Sequence, residues 1–161
     1  MFVDYRLISV FSIVAACLLM TGCGGSNPED TLLKQNDTNL ERLASMYTQY
    51  QADHRWIGPD SEETFRQYIE QDVPAFIKER IGISDTSALF VSRRDGQPFK
   101  IRLKVQGSAR GCSEPAIFEA EGVDGKRMVG FLNMFQKEVD ESEYNDLWEG
   151  KYDPADLVPT G

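Results

Sequence analysis

Residues 39 to 54 read NLERLASMYTQYQADH, and the spacing of their apolar side chains decides what kind of fold the chain makes. Leu40, Leu43, Tyr47, Tyr50 and His54 stand at offsets 0, 3, 7, 10 and 14, which puts them on one stripe of an α-helix. Glu41, Arg42, Ser45, Gln49 and Asp53 occupy the opposite side, so the helix offers an apolar face to a second layer and a polar face to water. Thr38 or Asn39 is placed to cap its first turn, and Trp56-Ile57-Gly58-Pro59 ends it.

Downstream, helical signals continue for some thirty residues and then stop. Asp60-Ser61-Glu62-Glu63 predicts a helix start in which Asp60 accepts from the Glu63 amide, with Phe65, Tyr68 and Ile69 on the buried side. Pro74 lacks an amide hydrogen and suits a first turn, so Asp72 is expected to cap a short helix carrying Phe76, Ile77 and Ile81, closed by Gly82.

The remainder reads as sheet. Ala88-Leu89-Phe90-Val91 is a short extended run, and Arg94-Asp95-Gly96 a turn. Phe99, Ile101, Leu103 and Val105 then alternate with Lys100, Arg102 and Lys104, the period of a half-buried strand. Ala116 to Glu121 and Arg127 to Asn133 form a hairpin through Gly122-Val123-Asp124-Gly125-Lys126, which carries the Asp-Gly turn signal. Asp140-Glu141-Ser142-Glu143 caps a last short helix bearing Tyr144, Leu147 and Trp148. A long amphipathic helix, short helices, then three or four antiparallel strands and a C-terminal short helix make an α+β domain over residues 38–148, followed by a flexible acidic tail at 149–161.

Ahead of this domain the chain changes character. Residues 7 to 20 carry no charge, and as a helix they cover about 21 Å, short of the ~30 Å hydrocarbon layer, so a secretory signal fits better than a permanent span. Residues 24–37, GGSNPEDTLLKQND, lack periodicity and have a tether's composition. Met20-Thr21-Gly22-Cys23 resembles the lipobox of bacterial lipoproteins. The resemblance implies a signal peptide at 1–22, cleavage before Cys23, acyl chains (palmitate among them) on Cys23, a lipidated tether at 23–37, and an exported protein anchored in the cell membrane or outer membrane. Two or three chains at ~0.8 kcal/mol per buried methylene give effectively permanent anchoring.

Charge and cysteine content narrow the functional classes. Without Asp4 and Arg6 the net charge is still −9, which argues against nucleic acid or anionic lipid as a ligand. With Cys17 in the leader and Cys23 acylated, Cys112 has no partner for a disulfide.

One histidine cannot build a multi-histidine zinc site, and HExxH, GxSxG, P-loop and GxGxxG patterns are missing. Asp124, Asp140, Glu141, Glu143 and Asp146 match no calcium loop, and helix capping accounts for those at the last helix, so neither a metal nor a cofactor is expected. The aromatics Tyr47, Tyr50, Trp56, Phe65 and Tyr68 read as core. Lys100, Arg102 and Lys104 form a basic row on the wet side of a strand, either paired with Glu119 and Glu121 or open as an interaction surface for another envelope protein. Cys112 and His54 are the one available thiol–base pair, with Arg110 positioned to activate the thiol, and they define the enzymatic alternative, a small envelope thiol enzyme or hydrolase.

NLERLASMYTQYQADHRWIGP, LFVSRRDGQPF and GVDGKRMVGFLNMFQKEVDESEY together resemble the head domain of type IV pilin-like proteins, the pseudopilins. That likeness implies a helix lying across a small antiparallel sheet. No prepilin cleavage site is present, and Gly24 to Pro28 interrupts the helix that polymerisation requires. The sequence-based expectation is therefore a non-catalytic, lipid-anchored envelope protein with an assembly, scaffolding or interaction role, of unspecified oligomeric state.

Overall fold

The computed structural model describes residues 38–153 and Leu157; the leader, Cys23 and the tether lie outside the described residues. Helix α1 spans Thr38–Asp53 and buries Leu40, Leu43, Tyr47 and Tyr50, together with Ala44, Met46 and Gln51 on the flanks of the same stripe. His54 falls outside the helix and is exposed. At its start the Asn39 amide donates to the carbonyls of Ala88 and Val91, and the Thr38 hydroxyl accepts from Arg93.

Helix α2, Glu62–Gln67, runs into a π-helical turn at Tyr68–Asp72, and α3 is Ala75–Arg80. The α2 cap is Ser61, one residue later than expected: its Oγ accepts the Thr64 amide at 3.0 Å. Asp72 caps nothing in α3, whose N-cap is Pro74, and Phe76 points to solvent at 66 % exposure. Gly82, at φ +76°, follows the last turn as expected.

Ala88 to Val91 is not a strand. Asp85 accepts the amides of Ser87 and Ala88 and starts helix α4, Thr86–Leu89, so local capping wins over a short apolar run that fits either state. Val91 alone bridges to Pro98 across the turn.

Four antiparallel strands form a meander in the order β1-β2-β3-β4: β1 Lys100–Ile101, β2 Pro115–Phe118, β3 Arg127–Phe131 and β4 Gln136–Val139. Strand β1 is far shorter than the alternation at 99–105 implies. After Arg102 donates to Ala116, the chain changes partner: Lys104 donates to the Pro59 carbonyl, Gly58 to Val105, and Gly107 to Trp56. Lys104 takes φ +55° at this switch, which breaks the two-residue period and leaves Leu103 exposed while Phe99 and Val105 are buried. Strands β2 and β3 meet at the turn Val123–Lys126, where Asp124 (φ 52°) and Gly125 (φ 74°) are both left-handed, the conformation of a two-residue type I′ hairpin. Strand β4, with the sequence QKEV, has too few apolar residues to be read from its pattern.

The sheet separates two apolar layers. Met128, Gly130 and Leu132 face α1, and Val129 and Phe131 face the last helix, α5 (Glu141–Glu149). On the α1 side, full burial of Leu40, Leu43 and Tyr47 removes large side chains from water at ~1.5–3 kcal/mol for each aliphatic one. Gly130 is required there, since a β-carbon would lie 2.1 Å from Leu40 Cδ2. The second layer is smaller: Phe118, Val129, Phe131, Val139, Tyr144 and Leu147, joined by Leu157 from the C-terminal segment. Asp140 caps α5 at the expected start by accepting the Glu143 amide at 3.0 Å, and Gly150 closes the helix in the left-handed conformation, one residue into the expected tail.

Candidate functional site

The expected basic row does not form. Lys100 is exposed on β1, 5.8 Å from the Tyr144 ring centroid, whereas Arg102 turns inward, donating to the Pro115 carbonyl and the Tyr152 hydroxyl within 3.7 Å of Glu114. Lys104 lies beyond the partner switch, in the ribbon that pairs residues 56–59 with 104–107. Glu119 and Glu121 are not their cross-strand partners: Glu119 is fully buried, and Lys100 faces Phe118 in the register.

Cys112 and His54 each have a polar contact of their own. The imidazole Nδ1 is 2.8 Å from the Tyr50 carbonyl, and the ring stacks on Tyr50 at 3.9 Å between centroids. The Cys112 Sγ contacts the Gln106 carbonyl at 3.7 Å and packs against the core. Burial pushes the thiol up, and the Glu114 charge adds to this; the Glu114 amide, Gln51 and Arg102 offset part of it. An activated cysteine needs the opposite shift. The expected aromatic core, by contrast, is present: Tyr47, Tyr50, Phe65 and Tyr68 meet edge to face at 5.0 to 6.1 Å. Trp56 is outside it and exposed.

A cluster that the sequence reading missed lies under the turn Ser92–Gly96. Glu119 has no solvent exposure, and its carboxylate accepts the Met128 amide at 2.7 Å and the Ser92 hydroxyl at 2.9 Å. Arg94, its side chain 4 % exposed, places Nε 3.5 Å from Glu119 and Nη2 2.7 Å from Glu138. Nε and Nη1 make no hydrogen bond. Burial raises the Glu119 carboxyl above its ordinary value, against the lowering effect of the Met128 amide and Arg94. Next to it Asp95 is also partly buried, which raises it, but the amides of Gly122, Gln97 and Glu121 hold it below the ordinary value. Ser92, Arg94 and Asp95 thus fasten the 92–97 loop to the β2–β3 hairpin. The readable signal was Glu119 within Ala116-Ile117-Phe118-Glu119-Ala120, a carboxylate in an otherwise apolar run.

An open cleft of about 420 Å³ lies between β4, α5 and the chain at Tyr152 and Leu157. Its cations have local partners, Lys137 with Glu143 and Lys151 with Glu149, both at 2.5 Å. Tyr152 bonds to Glu114, so the first part of the expected flexible tail is held against the domain. Among the described residues no group of three or more His, Cys, Asp or Glu side chains converges as a metal site, and no helix is long and apolar enough to cross a membrane. No protein-family model, no curated protein and no solved structure matches the chain, so its role has to be argued from its own residues.

Proposed function

We propose that the protein is a lipid-anchored component of the bacterial cell envelope whose α+β domain has a non-catalytic role in assembly, scaffolding or protein interaction. The observation that carries this reading is the uncharged stretch 7–20 followed by Met20-Thr21-Gly22-Cys23. Fourteen residues, of a tether's composition, separate Cys23 from Thr38. A long helix across an antiparallel meander is also the arrangement of the pilin-like heads that the sequence resembles, although the second apolar layer under α5 has no counterpart in that expectation. The raised Cys112 thiol favours a binding role over thiol chemistry.

Intact-mass measurement of the protein from a membrane fraction tests the proposal. The expected species begins at Cys23 and carries two or three acyl chains, and Cys23→Ser moves the protein to the soluble fraction. An uncleaved chain, or a bare thiol at Cys23 in native material, overturns it.

A further inference from the structure

The ribbon that joins residues 56–59 to 104–107 concentrates two unusual features. Arg55 (φ 57°), Trp56 (φ 66°) and Lys104 (φ 55°) are three of the five non-glycine residues with left-handed backbone among the described residues, a conformation that L side chains disfavour. The same ribbon and its flank hold three of the six exposed large apolar side chains among the described residues, Trp56 at 37 %, Ile57 at 47 % and Leu103 at 42 %. The strained backbone turns these side chains outward where ordinary alternation would bury some of them. Leu103 is the clear case, displaced from the face that Val105 keeps.

The electrostatics of the ribbon differ from those of the rest of the chain. Residues 54–59 and 96–113 contain no Asp or Glu, in a protein of net charge −9, and they contribute exposed Arg55, Lys104 and Arg110. Tryptophan flanked by aliphatic and cationic side chains suits the headgroup level of a bilayer, where the ring is half in contact with hydrocarbon and the cations meet phosphates.

We propose that this ribbon is a second, reversible contact of the domain with an anionic bilayer surface, which orients the domain on the membrane that carries it. The inference rests on the lipid-anchor reading, because tethering keeps so small a patch at high local concentration and strengthens its contact. The reach is sufficient: α1, with 16 residues, separates Thr38 from the ribbon by roughly 24 Å, and the fourteen residues before Thr38 extend to at most about 48 Å.

Fluorescence quenching tests the contact. The full protein, purified from membranes, is reconstituted into phosphatidylcholine–phosphatidylglycerol vesicles with and without brominated acyl chains. Trp56 and Trp148 are the two tryptophans, and Trp148 sits on α5, across the sheet from α1. In Trp148→Phe protein, bromination should remove roughly half or more of the emission, as for a ring at the headgroup boundary. Trp56→Phe protein, reporting Trp148 alone, should change little, and the difference between wild type and Trp56→Phe gives the same reading if Trp148→Phe folds poorly. Arg55→Glu combined with Lys104→Glu should reduce the Trp56 signal. Equal emission of Trp56 in both vesicle types overturns the proposal, as does a Trp56 signal that follows protein concentration and not lipid, which assigns the ribbon to a second copy. The mass of the same sample separates the two readings: acylated protein with unquenched Trp56 removes the contact and keeps the anchor, and unacylated protein with quenched Trp56 does the reverse.

Discussion

Glu119 and Met128 are bonded twice across the β2–β3 hairpin: the Glu119 amide donates to the Met128 carbonyl at 2.9 Å, and the Met128 amide donates to the Glu119 carboxylate at 2.7 Å. The side chain takes the place that the Glu119 backbone carbonyl would fill in a regular ladder, and that carbonyl instead accepts the Tyr144 hydroxyl at 2.7 Å. One residue therefore joins the hairpin, the Ser92–Gly96 turn and helix α5.

Glu119→Ala removes the acceptor of the Met128 amide and the Ser92 hydroxyl, and leaves buried Arg94 with Glu138 as its remaining ion pair. Breaking a buried pair from one side costs about 3 to 5 kcal/mol. Urea unfolding should show a loss of that order, and a loss under about 1 kcal/mol would mean that the cluster relaxes to admit water.

The pH dependence of stability has two limbs of opposite sign. The Glu119 carboxyl is raised in the fold, so the folded state holds its proton more tightly than the unfolded chain does. Its contribution is present below the ordinary value of 4.5 and is lost as pH rises through the raised folded value. Asp95 is lowered, so its contribution is present above 3.8 and is lost as pH falls through the folded value. Urea midpoints measured across this range should peak on the acid side of neutrality, with Glu119→Gln flattening the upper limb and Asp95→Asn the lower.

Gly130→Ala should destabilise by about 1 to 3 kcal/mol, the range for overpacking a dense core. The added carbon would meet Leu40 Cδ2, with Ile117 Cβ at 3.5 Å behind it. In the double variant with Leu40→Ala the two losses should add to less than their sum, because the cavity left by Leu40 accepts the new methyl group. Strict additivity in thermal melts would contradict the Leu40–Gly130 contact.

Ser61→Ala should cost about 1 kcal/mol, the usual loss for an N-cap, and Asp60→Ala much less. Comparable losses at both positions would mean that Asp60 shares the cap.

The parts of this fold that can be read in the sequence are those whose signal is local and repeated. Helix α1 has a stripe long enough that no alternative period fits, and the Asp124-Gly125 turn and the Asp140 cap depend on two to four neighbouring residues. Ala88 to Val91 offered four apolar residues to either state, and only the Asp85 carboxylate decided between them. The departure of residues 104–107 from β2 to the segment after α1 is a choice between two distant partners, which no pattern within the strand records. Glu119 stood out as a carboxylate in an apolar run, but its partners did not: Ser92 and Arg94 are brought to it by the turn from over twenty residues away. Of the candidate residues, Lys100, Arg102 and Lys104 shared a face only on the assumption of one continuous strand, and the left-handed backbone at Lys104 removes that assumption.

The two rims of the sheet bear on how copies of the domain behave when crowded together. Strand β1 offers two residues at one rim, and β4 offers four at the other with exposed Lys137 and Glu138 among them. Rims this brief and charged give a stray strand from an adjacent molecule little to zip onto. Copies at high concentration can thus stand shoulder to shoulder without coalescing.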